Sequence, residues 1–428
     1  MFRLKNVSIE GFWDEHKIET NFNQDVNIFI GKNGTGKTTF INLLQAIISV
    51  DLELLFNLQF EKIILNLYEK NKSRKIVVSK KAKELQYKEL LYQIGSRKFN
   101  LPIIPDRDIR YFSRRRGRIH PKFYNDIQEI KSFMNELINV SYLSVNRDNV
   151  INNDHRESRR DELYNAIDIR LEELIGQLTS YQLQLETDLS RLSNGFQADV
   201  LKLMLYNKEF DNVDINEPVN LELRKIKAGL LTAYRGLGLL DSHVEDAITK
   251  HVEAIEKATN SINTYVDKRD TPIYPNDVTP ITLLRRTRKV NELSSKLETN
   301  KKKVFEKLDM YIRLLNEFHE TKEFTLKDSK IGGISIAKDK ITIPISELSS
   351  GEKQLIILLT EALLQKGKQT LFIADEPELS LHIEWQRKVI SSIRLLNPNS
   401  QIIVATHSPE IVGSYKDSII NMERIING

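Results

Sequence analysis

Over the first thirty residues, apolar and polar positions alternate in short runs, which predicts strands at Phe2 to Ile9, Lys17 to Asn21 and Val26 to Ile30. A glycine-rich turn follows directly. Beyond it Phe40, Leu43, Leu44, Ile47 and Ile48 recur at helical spacing, so Thr38 to Val50 reads as a helix. The pattern from Asp51 to Val140 is mixed, with strands predicted near Lys62 to Tyr68 and Lys75 to Ser79 and a Pro- and Arg-rich loop around Leu101 to Pro121. The run VSYLSV at Val140 to Val145 reads as a buried strand that closes a first lobe at Asn146 and Arg147.

From about Asn152 to Lys322 the character changes, because Gly and Pro become sparse and apolar residues fall at alternating steps of four and three. One seam runs Ile167, Leu171, Leu174, Leu178, Tyr181, Leu185, Leu192, with Asp188 interrupting the register. Another runs Val290, Leu293, Leu297, Val304, Leu308, Tyr311, Leu315, Phe318. Two helices of about 30 residues, each about 45 Å long, form an antiparallel arm in this reading. A middle helical stretch (Leu221 to Leu240, Asp241 to Lys257) and a turn-rich tip near Asp270 to Pro280 lie between them. The alternative reading of the same pattern is a bundle of ordinary core helices. After Phe324 the alternation ISIAKDKITIPI returns to strands. A helix from Gly351, a strand at Thr370 to Ala374, a helix at His382 to Leu396 and a strand at Gln401 to Ala405 then give the order of a parallel sheet covered by helices. The division expected is residues 1–147, 148–322 and 323–428.

Composition narrows the class. The 428 residues are 40% hydrophobic, enough for one large core or two smaller ones. Lys plus Arg is 63 against 59 for Asp plus Glu, and a net charge of +4 neither requires nor excludes a polyanionic partner. With no Cys, disulfides and Cys-ligated zinc are impossible. No run approaches the ~18 apolar residues of a membrane span, and the N-terminus lacks a secretory h-region, so a cytoplasmic protein without a membrane partner is expected.

The chemistry concentrates in three places. Gly31-Lys32-Asn33-Gly34-Thr35-Gly36-Lys37-Thr38-Thr39 fits the phosphate-loop pattern between a strand and a helix. Its glycines let backbone amides curl around phosphate oxygens, the helix points its positive end at them, and Lys37 adds a point charge. Thr38 offers a hydroxyl to Mg²⁺. In LFIADEP, Asp375 emerges from a buried strand to hold that metal, with Glu376 next to it to polarise water. Leu348-Ser349-Ser350-Gly351-Glu352-Lys353-Gln354 is by itself a helix start with a Ser cap.

Taken together, LSSGEKQ, FIADEP and Thr406-His407-Ser408 resemble the signature, Walker B and switch-histidine series of ABC ATPases. The long interval from Gly36 to Ser349 resembles the SMC, RecF and overcoming-lysogenisation-defect-like branch, whose head is split by a helical insertion. The resemblance implies an α/β P-loop NTPase head of two lobes with an inserted antiparallel helical or coiled-coil arm. ATP and Mg²⁺ are its implied ligands. It further implies that Ser349, Gly351 and Glu352 act on ATP held by a second copy, so that the site is complete only in a homodimer or higher homo-oligomer, and that His407 contacts the γ-phosphate. Ser380-Leu381-His382 occupies the family's D-loop, with His382 where many members carry Asp. Asn146 stands nearest to the usual Gln of lobe one, and Phe12 or Trp13 offers a face to adenine.

About twenty residues follow His407, which leads to the expectation of a head without the nuclease domain that overcoming-lysogenisation-defect proteins append. The Glu-Lys-Gln tail of the signature resembles the ATPase subunits of antiviral systems such as Septu and PARIS. That likeness implies a sensor and scaffold that controls a separately encoded nuclease or toxin effector and answers to a viral protein or DNA. Two alternatives stay open: a RecF- or SMC-like DNA-repair ATPase that binds DNA directly, and a nucleotide-gated clamp with little turnover. The loop Arg114-Arg115-Arg116-Gly117-Arg118 is either a phosphate grip or a solvated loop.

Overall fold

The computed structural model describes residues 1–82, 88–102, 121–144, 166–207, 222–268, 272, 274–327 and 332–427. The loop Arg114 to Arg118, and Asn146 with it, lie outside the described residues. Two compact units divide the chain: Met1–Leu178, Met310–Lys327 and Gly333–Gly428 form one, and Thr179–Asp309 with Asp328–Gly332 form the other.

The first unit is built on a five-stranded parallel sheet in the order β14 (Ile419–Asn421), β3 (Val26–Ile30), β13 (Gln401–Ala405), β12 (Leu371–Asp375), β8 (Val140–Ser144). Every residue of β12 and β13 is buried, as expected of strands covered on both faces. Helix α1 (Lys37–Ser49) buries Phe40, Ile41, Leu43, Leu44, Ile47 and Ile48 in a core shared with Ile373, Ile403 and Ala405. Each such side chain contributes roughly 1.5–3 kcal/mol by leaving water.

That core also reaches a six-stranded antiparallel sheet, β2 (His16–Asn21), β1 (Arg3–Phe12), β4 (Lys62–Glu69), β5 (Lys72–Ala82), β6 (Lys88–Ile94), β7 (Arg97–Pro102). Here the structure adds elements to the expected pattern: β6, β7 and helix α3 (Pro121–Leu137), as well as the short α2 (Leu52–Asn57) that Asp51 caps through the Leu54 amide. The alternation after Phe324 forms a small antiparallel sheet of β9 (Glu323–Leu326), β10 (Ile334–Lys338) and β11 (Ile341–Thr342).

Helix α4 runs from Ala166 to Lys202 and α7 from Pro275 to Phe318, so the helices that carry the two seams have 37 and 44 residues, longer than the expected 30 or so. In the second unit they pack with α5 (Leu223–Gly236) and α6 (Ser242–Lys268). One cluster joins Phe196, Ala233 and Leu297, and another joins Ile226, Leu230, Ile248, Val252, Ile255 and Leu284. The expected turn-rich tip through Pro280 is corrected, because α7 already begins at Pro275 and holds Pro280 inside it. Pro275 opens the helix, where the missing N–H has no intrahelical partner, and Pro280 gives up a single bond in the second turn of a 44-residue helix that the remaining ladder sustains. Among the described residues no helix is long and apolar enough to cross a membrane.

Candidate functional site

Strands β3, β13 and β12 are parallel neighbours whose registers place Phe29 beside Ala405 and Ala405 beside Asp375. Their carboxyl ends therefore open on one edge of the sheet, the edge at which open α/β sheets hold ligands. The glycine loop leaves β3, Thr406 to Ser408 leave β13, and Glu376 leaves β12, so the geometry brings these three sequence motifs together.

Gly34 and Gly36 take positive φ of 80° and 83°, which turns the loop so that α1 starts at Lys37. A side chain at Gly36 would also meet Phe12 and Trp13 ring carbons at 2.9 and 3.0 Å. Phe12 is fully buried and belongs to the core, whereas Trp13 keeps an exposed portion beside the loop. Within the loop the Thr35 hydroxyl donates to the Lys32 carbonyl at 2.8 Å. Asn33 and Gly34 are exposed at its tip, and Thr39 is half-buried in the first turn of α1.

The Lys37 ammonium is buried and donates to the carbonyls of Gly31 (2.9 Å) and Lys32 (3.1 Å). Burial lowers its pKa, while Glu376, Asp375, Glu378 and Glu423 pull it back up. Facing it, Asp375 is buried, with the Thr38 side chain near enough to draw its pKa down against burial. Its Oδ1 has no hydrogen-bond partner, and burial, with the charges of Glu376 and Glu378, raises its pKa. A buried, unpaired carboxylate oxygen beside a hydroxyl is a donor pair suited to a hard divalent cation, so these residues fit Mg²⁺.

Glu376 has a left-handed backbone (φ 47°) held by its N–H to the Ala405 carbonyl at 2.8 Å. His407 Nε2 stands 3.7 Å from Glu376 Oε1, and the ring borders a cleft of about 380 Å³ lined also by Gly31, Ser408 and Lys416. One residue absent from the expected set holds the segment that carries His407: Glu378 is buried and its Oε1 accepts from the Thr406 hydroxyl, the His407 N–H (2.8 Å) and the Ser408 N–H (3.2 Å). In sequence Glu378 is one more acid after Asp-Glu-Pro. Only the pairing of β12 with β13 reveals its partners.

Helix α8 (Ser350–Leu364) begins with Ser349 as cap; the Ser349 side chain accepts from the Glu352 N–H, and Glu352 accepts from the Ser349 N–H at 2.8 Å. Lys322 adds an ion pair to Glu352 at 2.5 Å, so that carboxylate serves its own helix start, and burial opposed by these donors leaves its pKa lowered. Ser349 itself is exposed. Gly351 is buried under the Ser380 carbonyl, which a Cβ would meet at 2.1 Å, and Ser380 takes φ 72°. His382 caps helix α9 (Ile383–Leu396) without a side-chain hydrogen bond. Further along α8, Lys353 pairs with Asp168 at 2.7 Å, Thr360 meets the Tyr311 hydroxyl at 2.7 Å, and Arg170 pairs with Glu361. Residues at the first turns of α4 and the last turns of α7 thus grip α8 along its length.

Comparison with known proteins gives the following likenesses. Residues 2–412 match the family described as AAA ATPase domain. UvrABC system protein A of Methanothermobacter thermautotrophicus is 29% identical over 144 residues, 32% of this chain and 14% of that protein. The Retron Vc95 probable ATPase of Vibrio cholerae is 31% identical over 102 residues, 21% of this chain and 20% of the relative. Septu protein PtuA of Bacillus thuringiensis is 31% identical over 111 residues, 21% of this chain and 28% of the relative. The chain thus spans less than a third of the length of each of these relatives. The solved Smc head domain with an extended coiled coil from Pyrococcus furiosus aligns with a TM-score of 0.45 at 14% identity, over 98% of this chain and 93% of that one.

Proposed function

Because the chain belongs to the AAA ATPase domain family, we propose that it binds and hydrolyses ATP in a site closed between two copies of itself. The observation that carries this reading is the meeting of Thr38, Asp375 and Lys37 at one sheet edge, with a buried Asp375 oxygen left for a ligand. Lys37 exchanges its bonds to the Gly31 and Lys32 carbonyls for β- and γ-phosphate oxygens, and the amides of the Gly31 to Thr39 loop surround the same phosphates. Thr38 and Asp375 hold Mg²⁺, which when bound neutralises phosphate charge. Glu376 orients a water on the γ-phosphorus and takes its proton as the bond to the ADP oxygen breaks. His407, beside Glu376, contacts the γ-phosphate.

Ser349 and Gly351 of the second copy seal the phosphates, so ATP joins the copies and hydrolysis releases them. In the cell this ATPase acts as the sensor and scaffold of an antiviral complex that controls a separate nuclease effector; the likeness to Septu protein PtuA and to the retron ATPase supports that reading. Direct DNA binding is the second reading, and helix α7 favours it, since Arg285, Arg288, Lys296, Lys302 and Lys303 are exposed along it. Steady-state ATPase assays of wild type and Glu376→Gln test hydrolysis. Equal rates remove Glu376 from the reaction, and no turnover in the wild type leaves a nucleotide-gated clamp. Duplex binding that falls with salt in the absence of any partner favours the second reading over the first.

A further inference from the structure

Glu378 is an expensive way to satisfy a loop. It is 8% exposed, and Asp375 and Lys37 both feel its charge. Burying a carboxylate next to two others works against stability, and a neutral acceptor would satisfy the same donors at lower cost. The bonds it makes are lopsided. All three donors, the Thr406 hydroxyl and the His407 and Ser408 amides, converge on Oε1, while Oε2 is buried with no hydrogen-bond partner. A second strut parallels the first: Gln386 of α9 accepts from the Ser408 hydroxyl at 2.7 Å and donates to the Leu381 carbonyl at 2.9 Å. The turn after β12 and the segment after β13 are thereby bolted to each other on both sides of His407.

We propose that Glu378 is a positioning residue for the reaction, fixing the backbone of Thr406 to Ser408 so that the His407 ring stands beside Glu376. The inference rests on the ATPase reading above. Charge-assisted bonds to consecutive amides leave the His407 backbone little freedom, and the ring then has only its own side-chain torsions to adjust. Without the acceptor, the two amides and the hydroxyl must find new partners, and the segment moves away from β12. Ground-state nucleotide binding rests mainly on the Gly31 to Thr39 loop, and the single His407 contact to the γ-phosphate adds little to it. The loss falls on kcat.

The test compares full-length wild type, Glu376→Gln, Glu378→Leu, Glu378→Gln and His407→Ala for ATP turnover and for binding of a fluorescent ATP analogue. Leucine keeps the volume and removes the acceptor, and we expect kcat to fall about 100-fold, the scale of an ångström-sized misplacement, with KM and analogue affinity within about threefold of wild type. Glutamine keeps an acceptor oxygen but loses the charge that strengthens these bonds, and its turnover falls between those of Glu378→Leu and wild type. The double variant Glu378→Leu, His407→Ala turns over no more slowly than His407→Ala alone, because both changes remove one unit. Should Glu378→Leu not fold, Glu378→Asp draws the acceptor back by one methylene, and the same fall in kcat at unchanged KM is expected of it. Wild-type kcat in Glu378→Leu or, in its place, Glu378→Asp overturns the inference, as does a double variant whose losses multiply. Wild-type turnover in Glu376→Gln overturns the hydrolysis reading instead, so the two failures are told apart.

Discussion

The Thr38 side chain stands close enough to the Asp375 carboxylate to pull against the rise in its pKa, so the first turn of α1 and the end of β12 meet at the site. The pair joins residues from opposite ends of the chain beside the buried carboxylates of Asp375 and Glu378. Such a site is costly for the fold and suited to a cation.

That cost predicts a trade between stability and activity. Burial raises the folded pKa of Asp375 above 3.8, so the folded state binds the extra proton; stability is lost as pH rises from 3.8 through the raised value. At neutral pH, Asp375→Asn removes the buried charge. We expect the nucleotide-free protein to melt a few degrees higher while Mg²⁺-dependent turnover drops at least about 100-fold. Calorimetry with and without ATP and Mg²⁺ checks both halves, and a lower Tm for the nucleotide-free variant contradicts the reading.

Gly351 sits where a Cβ would meet the Ser380 carbonyl at 2.1 Å. Gly351→Ala must push the Ser380 turn away from the start of α8. The expected outcome is a stability loss of about 1–3 kcal/mol, as for other overpacked sites, together with lost turnover, while analogue affinity stays near wild type because the Gly31 to Thr39 loop is untouched. Denaturant melts and analogue titration measure the two separately.

His319 packs on Phe324 and Trp385, donates from Nδ1 to the Leu315 carbonyl and has Nε2 buried 3.9 Å from Glu352 Oε1. Burial is the largest effect and lowers its pKa, against the raising pull of Glu352. The unfolded chain therefore takes up a proton first. Stability is full above 6.5 and falls with pH below that until the folded pKa is reached, by at most about 1.4 kcal/mol per pH unit for one proton. His319→Gln flattens that slope in melts between pH 5 and 6.5; an unchanged slope assigns it to another group.

Much of this architecture is readable from residue order, for reasons that differ by element. Helix α1 announces itself because a core-facing helix after a glycine loop repeats its apolar positions at Phe40, Leu43, Leu44 and Ile47. Strands β12 and β13 read as apolar runs because both faces are covered. The region of β6, β7 and α3 reads poorly. In KELLYQI the alternation is broken by adjacent leucines, although Leu90 and Tyr92 point inward, and α3 places Ile127, Ile130 and Met134 at helical spacing directly after a Pro- and Arg-rich stretch that suggests a loop. The arm's seams were visible, but its four-helix packing depends on α5 and α6, whose partners are distant in sequence. At the site, motifs that are contiguous in sequence stood out. Glu378 did not, because its meaning lies across a strand pair.

The central claim is a pocket made by two copies, and mixing two inactive variants tests it most directly. Lys37→Ala lacks the phosphate ligand and keeps its Ser349; Ser349→Arg blocks sealing and keeps its phosphate loop. In an equal mixture half of the dimers pair unlike copies and each of these holds one intact site, so ATPase activity should return to roughly a quarter of the wild-type rate for a symmetric two-site dimer. Activity that stays at zero in a mixture shown by mass photometry to contain dimers, or full activity of Ser349→Arg by itself, would contradict the account.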